Sequence, residues 1–283
     1  MSDAVLYDVQ GPKARRRVLI GSVIAGLLLL AVVVVAVLRL KDNGQFEERL
    51  YRPFLDQPVL YERLLEGLIN TLKAAVYALV LATVLGVLLA FGRLSHSAVV
   101  RVPAIAIIEL FRALPLLLLI LGIFLAYPIL VGSRLDPLYA LVAGLTLYNG
   151  AVIAEIVRAG IQSLPRGQSE AALSIGLTPR QNLRLVLLPQ AVRVMLPALI
   201  SQLVVLLKDT SLGFVISYPE LLRTGQQLVQ NLDNPLQLFL VVALIYIVIN
   251  LGLTTIATLL EGRQRRTVGK SAVLAPTEAG AVL

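Results

Sequence analysis

Long apolar runs, separated by short polar and basic segments, organise this chain. Val18 to Leu38 carries no charge and is long enough to cross a hydrocarbon core, which takes roughly 20 residues. Further runs lie at about Gly67–Phe91, Val102–Leu130, Leu138–Val157, Val194–Ser217 and Leu236–Leu260. The pattern predicts an all-α polytopic membrane protein with six transmembrane helices. The first run has a rival reading as a signal peptide, whose apolar region would hold ~7–15 residues before a small-residue cleavage site. Here Arg39-Leu40-Lys41 follows instead, so an uncleaved helix is expected. The resulting layout is a basic N-terminus (1–17), a first helix (18–40), an external loop (41–66), a membrane domain (67–261) and a polar tail (262–283) expected to be disordered at its end.

One polar stretch, 158–193, interrupts the apolar pattern between the fourth and fifth runs. Ser163 to Ser174 is rich in helix-forming residues, with Pro165 near its start, where a missing N–H costs little. Gly176 is placed to end this helix, because glycine enters the left-handed region cheaply. Thr178-Pro179 then reads as the cap and first turn of a second helix. Helix, tight turn, helix is a shape suited to receiving force from a soluble partner.

Composition sharpens the class. The 283 residues are 58% hydrophobic, with a mean hydropathy of +0.85, far from the balance of a soluble domain. Cysteine is absent, which excludes disulfides and thiolate metal sites, and one histidine, His96, excludes a multi-histidine metal site. With no Trp, the interfacial belt rests on Tyr, Arg and Lys. The net charge of +8 reads as basic loops on the cytoplasmic side rather than as a nucleic-acid surface. Lys13, Arg15–Arg17, Arg93, Arg101, the arginines of 158–193 and those of the tail fall on one side, and fewer basic residues fall on the other. This bias puts both termini and the polar stretch in the cytoplasm.

Polar residues inside the spans are costly in lipid and mark a path or a pair. Lys73 lies near one end of the second span, where it can snorkel to the surface or draw in an anion. Glu109 and Arg112, and likewise Glu155 and Arg158, stand three apart and can neutralise each other on a helical face. Asn149 interrupts the fourth span near its middle. Lys208, Asp209, Thr210 and Ser211 stand together about 21 Å beyond Val194, at ~1.5 Å per residue, and are the strongest candidates for a polar translocation path.

The polar stretch resembles the loop named for Glu-Ala-Ala in permeases of ATP-driven importers. Glu170-Ala171-Ala172, then Gly176, then Val186 (where the family has Ile) and Leu188-Pro189 carry the match. The words around Glu155–Ile161, Gly167-Gln168, Leu188–Ala191 and Lys208–Leu212 resemble the branch that imports polar amino acids. Glu109–Pro115 also resembles a motif of the family, which commonly has Gly-Thr where Ala113-Leu114 stands. The resemblance covers about Glu66 to Glu261. It implies a five-helix importer core, here with one extra N-terminal helix, in the plasma membrane of a bacterium. Tyr7–Gly11 and Gly44-Gln45-Phe46, with the longer N-terminal form, are similar to glutamate-uptake permeases of actinobacteria. Glutamate is therefore the expected substrate, with Lys73, Arg112 and Lys208 available to offset its carboxylates. A basic amino acid would instead suit Glu155 or Asp209.

The resemblance also implies partners. An ATPase dimer would grip the loop through Gly167, Glu170, Ala171, Ala172, Gly176, Leu188 and Pro189. A second permease would complete the path, a related chain being expected and an identical one the alternative. An external binding protein would deliver the substrate. The chain itself has no phosphate-binding loop: Gly269-Lys270-Ser271 lacks the required first glycine, whose place is taken by Gln264. With no catalytic constellation, no metal site and no bound cofactor expected, ATP and Mg would be used by the partner ATPase. The competing reading is an ion-coupled amino acid transporter or channel, which would have no reason for the Glu170 loop.

Overall fold

The computed structural model describes residues 11–232 and 234–273, so the end of the tail lies outside the described residues. Cα packing divides the chain into two compact units, Met1–Asp56 and Gln57–Leu283. The first unit is built on α1, Pro12–Asp42. Proline opens the helix, where its missing N–H is harmless. Arg39 and Lys41 close it, complementing the negative end of the helix dipole. The apolar stretch of α1 is exposed all round rather than along one stripe, as expected of a helix solvated by lipid. A turn at Gly44, which has φ +69°, leads through a short 3-10 segment at Glu48–Leu50 to α2, Pro53–Asp56.

The second unit is a helical bundle around α6, Pro137–Gln162. Against it pack α3 (Pro58–Arg93), α4 (Ala98–Ala113), α5 (Leu116–Val131) and α9 (Leu188–Asp209). Small residues explain why α6 and α3 approach most closely. Ala78, Ala82, Gly86 and Ala90 recur every fourth residue along one buried face of α3. Ala82, Gly86 and Ala90 meet Gly150, Ala151 and Ala154 of α6, all buried. Lipid tails are as apolar as leucine, so this contact rests on close van der Waals packing rather than on escape from water. One packed cluster gathers Ile120, Leu141, Leu145 and Leu206; a second gathers Ile108, Ile153, Val157 and Met195.

The architecture agrees with the expected all-helical polytopic class. Five helices are long and apolar enough to cross a membrane among the described residues, and a sixth span arises if one bent pair counts as one. That pair is the first departure from the sequence reading. The run read as a single third span, about Val102–Leu130, is broken between α4 and α5 by a bend of 100°. Pro115 is the cause: it has no N–H to continue the helix, and it holds Leu114 in extended backbone at φ −81°, ψ 132°. The second departure is at the expected external loop: α3 already begins at Pro58, so 58–66 is helical and continuous with the second span.

The third departure concerns the fifth span. Rather than starting afresh near Val194, it is continuous with the second helix of the polar stretch. α8 (Pro179–Gln181) passes into a widened π turn, Asn182–Leu187, and then into α9, giving one span over Pro179–Ile216. Pro189 cannot make the regular i→i−4 bond, and the π turn just before it absorbs the mismatch. A 3-10 segment, Thr210–Ile216, finishes the span. Beyond it lie α10 (Leu221–Leu232) and α11 (Pro235–Val273).

Candidate functional site

The turn between α6 and α9 is built by local chemistry. α7, Arg166–Ser174, starts after Pro165 and ends just before Gly176, whose φ of +87° is the left-handed conformation that reverses the chain. Thr178 then caps α8 through a reciprocal box: its hydroxyl accepts from the Gln181 N–H at 3.3 Å, and the Gln181 side chain accepts from the Thr178 N–H at 2.9 Å. The two arms are tied together by Asn182 Nδ2 donating to Ser169 Oγ at 2.7 Å and Gln190 Nε2 donating to Gln168 Oε1 at 3.3 Å. Of the sequence-predicted coupling residues, Ala172 is buried and anchors α7. Gly167, Glu170, Ala171, Gly176 and Pro189 are exposed, and Leu188 is half-buried. Leu173, Ile175 and Leu185 stand exposed beside them. An acid among exposed apolar side chains on a local turn is the kind of patch that protein partners use.

Near the same end of the bundle, five charges meet. Glu155 is the centre: Arg93 reaches it at 2.9 Å, Arg158 at 3.0 Å and Arg112 at 3.9 Å. Glu109 in turn binds Arg93 at 3.0 Å and Arg112 at 3.8 Å. Both i, i+3 pairs expected from the sequence are present, but Arg93 joins them into one cluster that ties the ends of α3 and α4 to α6. Glu155 and Arg93 are 17% and 19% exposed on their side chains, so this pair is shielded more than a surface ion pair.

The other candidate path residues do not gather in one place. Lys73 is exposed on α3. Asn149 is fully buried; it donates to the Leu145 carbonyl at 3.0 Å and accepts from Gln202 of α9 at 2.7 Å. Within Lys208–Ser211, Thr210 is buried and Asp209 half-buried. Lys208 and Ser211 line a cavity of about 600 Å³ with Leu222, Phe239, Tyr246 and Asn250. This volume falls within the roughly 300–1,000 Å³ of small-molecule sites. Its wall is mainly apolar, with Lys208 exposed and without an ion pair among the described residues. Asn250 Oδ1 is buried with no hydrogen-bond partner.

Behind that cavity lies a polar knot that the sequence reading missed. Glu220, read as part of an external segment, is fully buried. Its carboxylate accepts from the N–H groups of Leu222 and Arg223, both at 2.7 Å, and from the Tyr246 hydroxyl at 2.9 Å. It therefore caps α10 while holding α11. Burial pushes its pKa above the ordinary carboxylate range, opposed by these three hydrogen bonds. The backbone between the span and α10 is pinned to α3: Leu221 N–H donates to Thr71 Oγ1 at 3.0 Å, Tyr218 OH to the Asn70 carbonyl at 3.0 Å, and Asn70 Nδ2 to the Pro219 carbonyl at 3.0 Å. Burial is also the main reason the Tyr218 phenol is pushed up to about 12. The available signal was Glu220 standing just before the Leu221-Leu222 pair, an acid at a helix start.

The profile of one family, described as "Binding-protein-dependent transport system inner membrane component", matches residues 82–266. The chain belongs to this family. Among relatives of this permease is the glutamate transport system permease protein GluD of Corynebacterium glutamicum, 45% identical over 81% of this chain and 86% of that protein. The glutamate/aspartate import permease protein GltK of Escherichia coli is 37% identical over 71% of this chain and 92% of that protein. In structure, the permease is similar to a chain of an amino acid ABC transporter crystallised with histidines. The TM-score is 0.71 and the identity 31%, over 74% of this chain and 98% of that one. The permease is thus a multi-pass membrane component of an ABC importer, a class that works with an ATPase, a partner permease and a binding protein.

Proposed function

We propose that this permease forms the translocation path for glutamate. The observation that carries the reading is its 45% identity to a glutamate transport system permease over most of both chains. An unpaired Lys208 in the wall of a membrane-embedded cavity supports it, because an ammonium in an apolar wall favours an anionic guest. We place both termini and the Glu170 turn in the cytoplasm, on the basic-loop bias, with 41–57 outside. The chain is non-catalytic. ATP and Mg are used by a separate ATPase dimer, which grips Glu170 and the exposed apolar residues around it. A related second permease completes the path, and an external binding protein delivers the amino acid. ATP binding draws the ATPase subunits together, moves the turn and rocks the spans toward the outside; hydrolysis resets them. An ion-coupled transporter would have no use for such a turn.

The test is purification of the chain from native membranes in mild detergent, with mass spectrometry of what accompanies it, alongside uptake of radiolabelled L-glutamate in cells lacking the gene. An accompanying ATPase and lost uptake restored by the gene are expected. A chain that repeatedly comes alone from well-folded preparations would count against the importer reading, and unimpaired glutamate uptake against the substrate. Glu170→Ala should lower uptake severalfold at unchanged membrane abundance, since the charged contact is lost without disturbing a buried group.

A further inference from the structure

The cavity that holds Lys208 owes part of its wall to a residue that it does not touch. Tyr246 lines the cavity from α11. Its hydroxyl donates to Glu220 at 2.9 Å with the Thr71 and Thr210 side chains also against it, and its carbonyl accepts from Asn250 Nδ2 at 2.6 Å. The wall therefore presents a tyrosine ring whose polar end is anchored behind it. Glu220 is suited to this task because nothing else competes for it. It is fully buried, it forms no ion pair among the described residues, and its other two contacts are backbone N–H groups of its own helix. The nearby Arg223 is turned away, donating to Gln226 and lying 5.8 Å from the Phe214 ring centroid. The anchor itself is fixed, since the segment before α10 is bonded to Asn70 and Thr71 of α3.

We propose that Glu220 is a positioning residue for transport: by holding the Tyr246 hydroxyl it fixes the wall beside Lys208 and so sets the apparent affinity for the transported amino acid. The proposal rests on the cavity being part of the substrate path. A carboxylate that accepts a phenolic O–H gives a strong, directional bond, and its loss frees the ring to turn within a wall that must match a small solute closely. Affinity should change, whereas the distant turn that meets the ATPase should not.

The clean probe is Tyr246→Phe, which removes only the hydroxyl and leaves Glu220 capping α10. In the complete importer, with radiolabelled L-glutamate, KM should rise about 2- to 10-fold, the range of one lost hydrogen bond. Maximal rate and membrane abundance should hold. Glu220→Gln should also raise KM, and the double variant should be no worse than the more affected single one, because Glu220 acts through the Tyr246 hydroxyl. An unchanged KM for Tyr246→Phe would overturn the proposal, as would additive effects in the double variant. Lys208→Met, measured in parallel, judges the cavity separately. If Lys208→Met changes KM and Tyr246→Phe does not, the cavity stands and the positioning role falls. If Tyr246→Phe alone changes KM, the positioning role stands and the lysine's part falls.

Discussion

At the scale of single residues, the bundle is decided by glycines and alanines rather than by large side chains. A Cβ built on Gly86 would lie 2.6 Å from Ile153 Cγ2 and 2.8 Å from the Gly150 carbonyl oxygen, which as backbone cannot swing away. Gly122 on α5, by contrast, has nothing within 4 Å of its Cβ position. Gly86→Ala should therefore destabilise the protein by about 1–3 kcal/mol, while Gly122→Ala should be neutral or slightly stabilising. Thermal unfolding of the detergent-solubilised chain would show the contrast. Equal melting temperatures for the two variants would mean that the α3–α6 contact is looser than it stands here. This seam was hidden in the sequence, because alanine and glycine in an apolar run look like filler until a second helix is laid against them. Glu220 was hidden for the opposite reason. A charged residue between two spans reads as solvated, and only the fold shows that the backbone folds back over it.

At the scale of elements, the turn was the most legible feature. Its punctuation is local: Pro165, Gly176 and Thr178-Pro179 each act on their own neighbours, and the structure has the left-handed glycine and the capping box where the residues call for them. Gly176→Ala should keep the spans intact, since its Cβ position is open, yet strain the turn by about 1–3 kcal/mol at a positive φ. ATP-driven uptake should fall with little change in membrane abundance. Uptake equal to the parent's would show that the angle between α7 and α8 is not used. The bend at Pro115 was less legible, although the proline was in plain view. Hydropathy averages over it, and a proline within a membrane span kinks or breaks the helix depending on which neighbours re-satisfy its backbone. The ion cluster was half legible. Spacing revealed the pairs on α4 and α6, but nothing in the sequence brought Arg93 of α3 to Glu155.

At the scale of the whole molecule, the class of the spans and the places of five of them could be read from apolar runs alone, because lipid demands internally satisfied backbone and helices supply it. Sidedness rests on the distribution of basic residues, and the chain is well suited to testing it. With no native cysteine, single cysteines report position without background. Ser174→Cys, exposed at the end of α7, should react with a membrane-impermeant maleimide only after permeabilisation. Ser133→Cys, exposed between α5 and α6, should react in intact cells. The reverse pattern would invert the topology. The candidate path was the least legible feature at this scale. Six of its eight residues do not line the cavity of Lys208 and Ser211, and a single chain would supply only part of any passage formed between two permeases.

The continuity of Pro179–Ile216 carries a consequence for how such a protein can change over time. The second arm of the Glu170 turn, beginning at α8, and the residues beside the cavity belong to one continuous helical span, 179–216. They are therefore not exchangeable modules. A graft of the Glu170 turn from another permease would bring in a helix whose far end helps shape the cavity. A shift in cargo preference worked into 208–211 would be felt, through register and tilt, at the engine. Lineages that diversify their cargo should accordingly be expected to do so on α11 and α10 before they touch this rod.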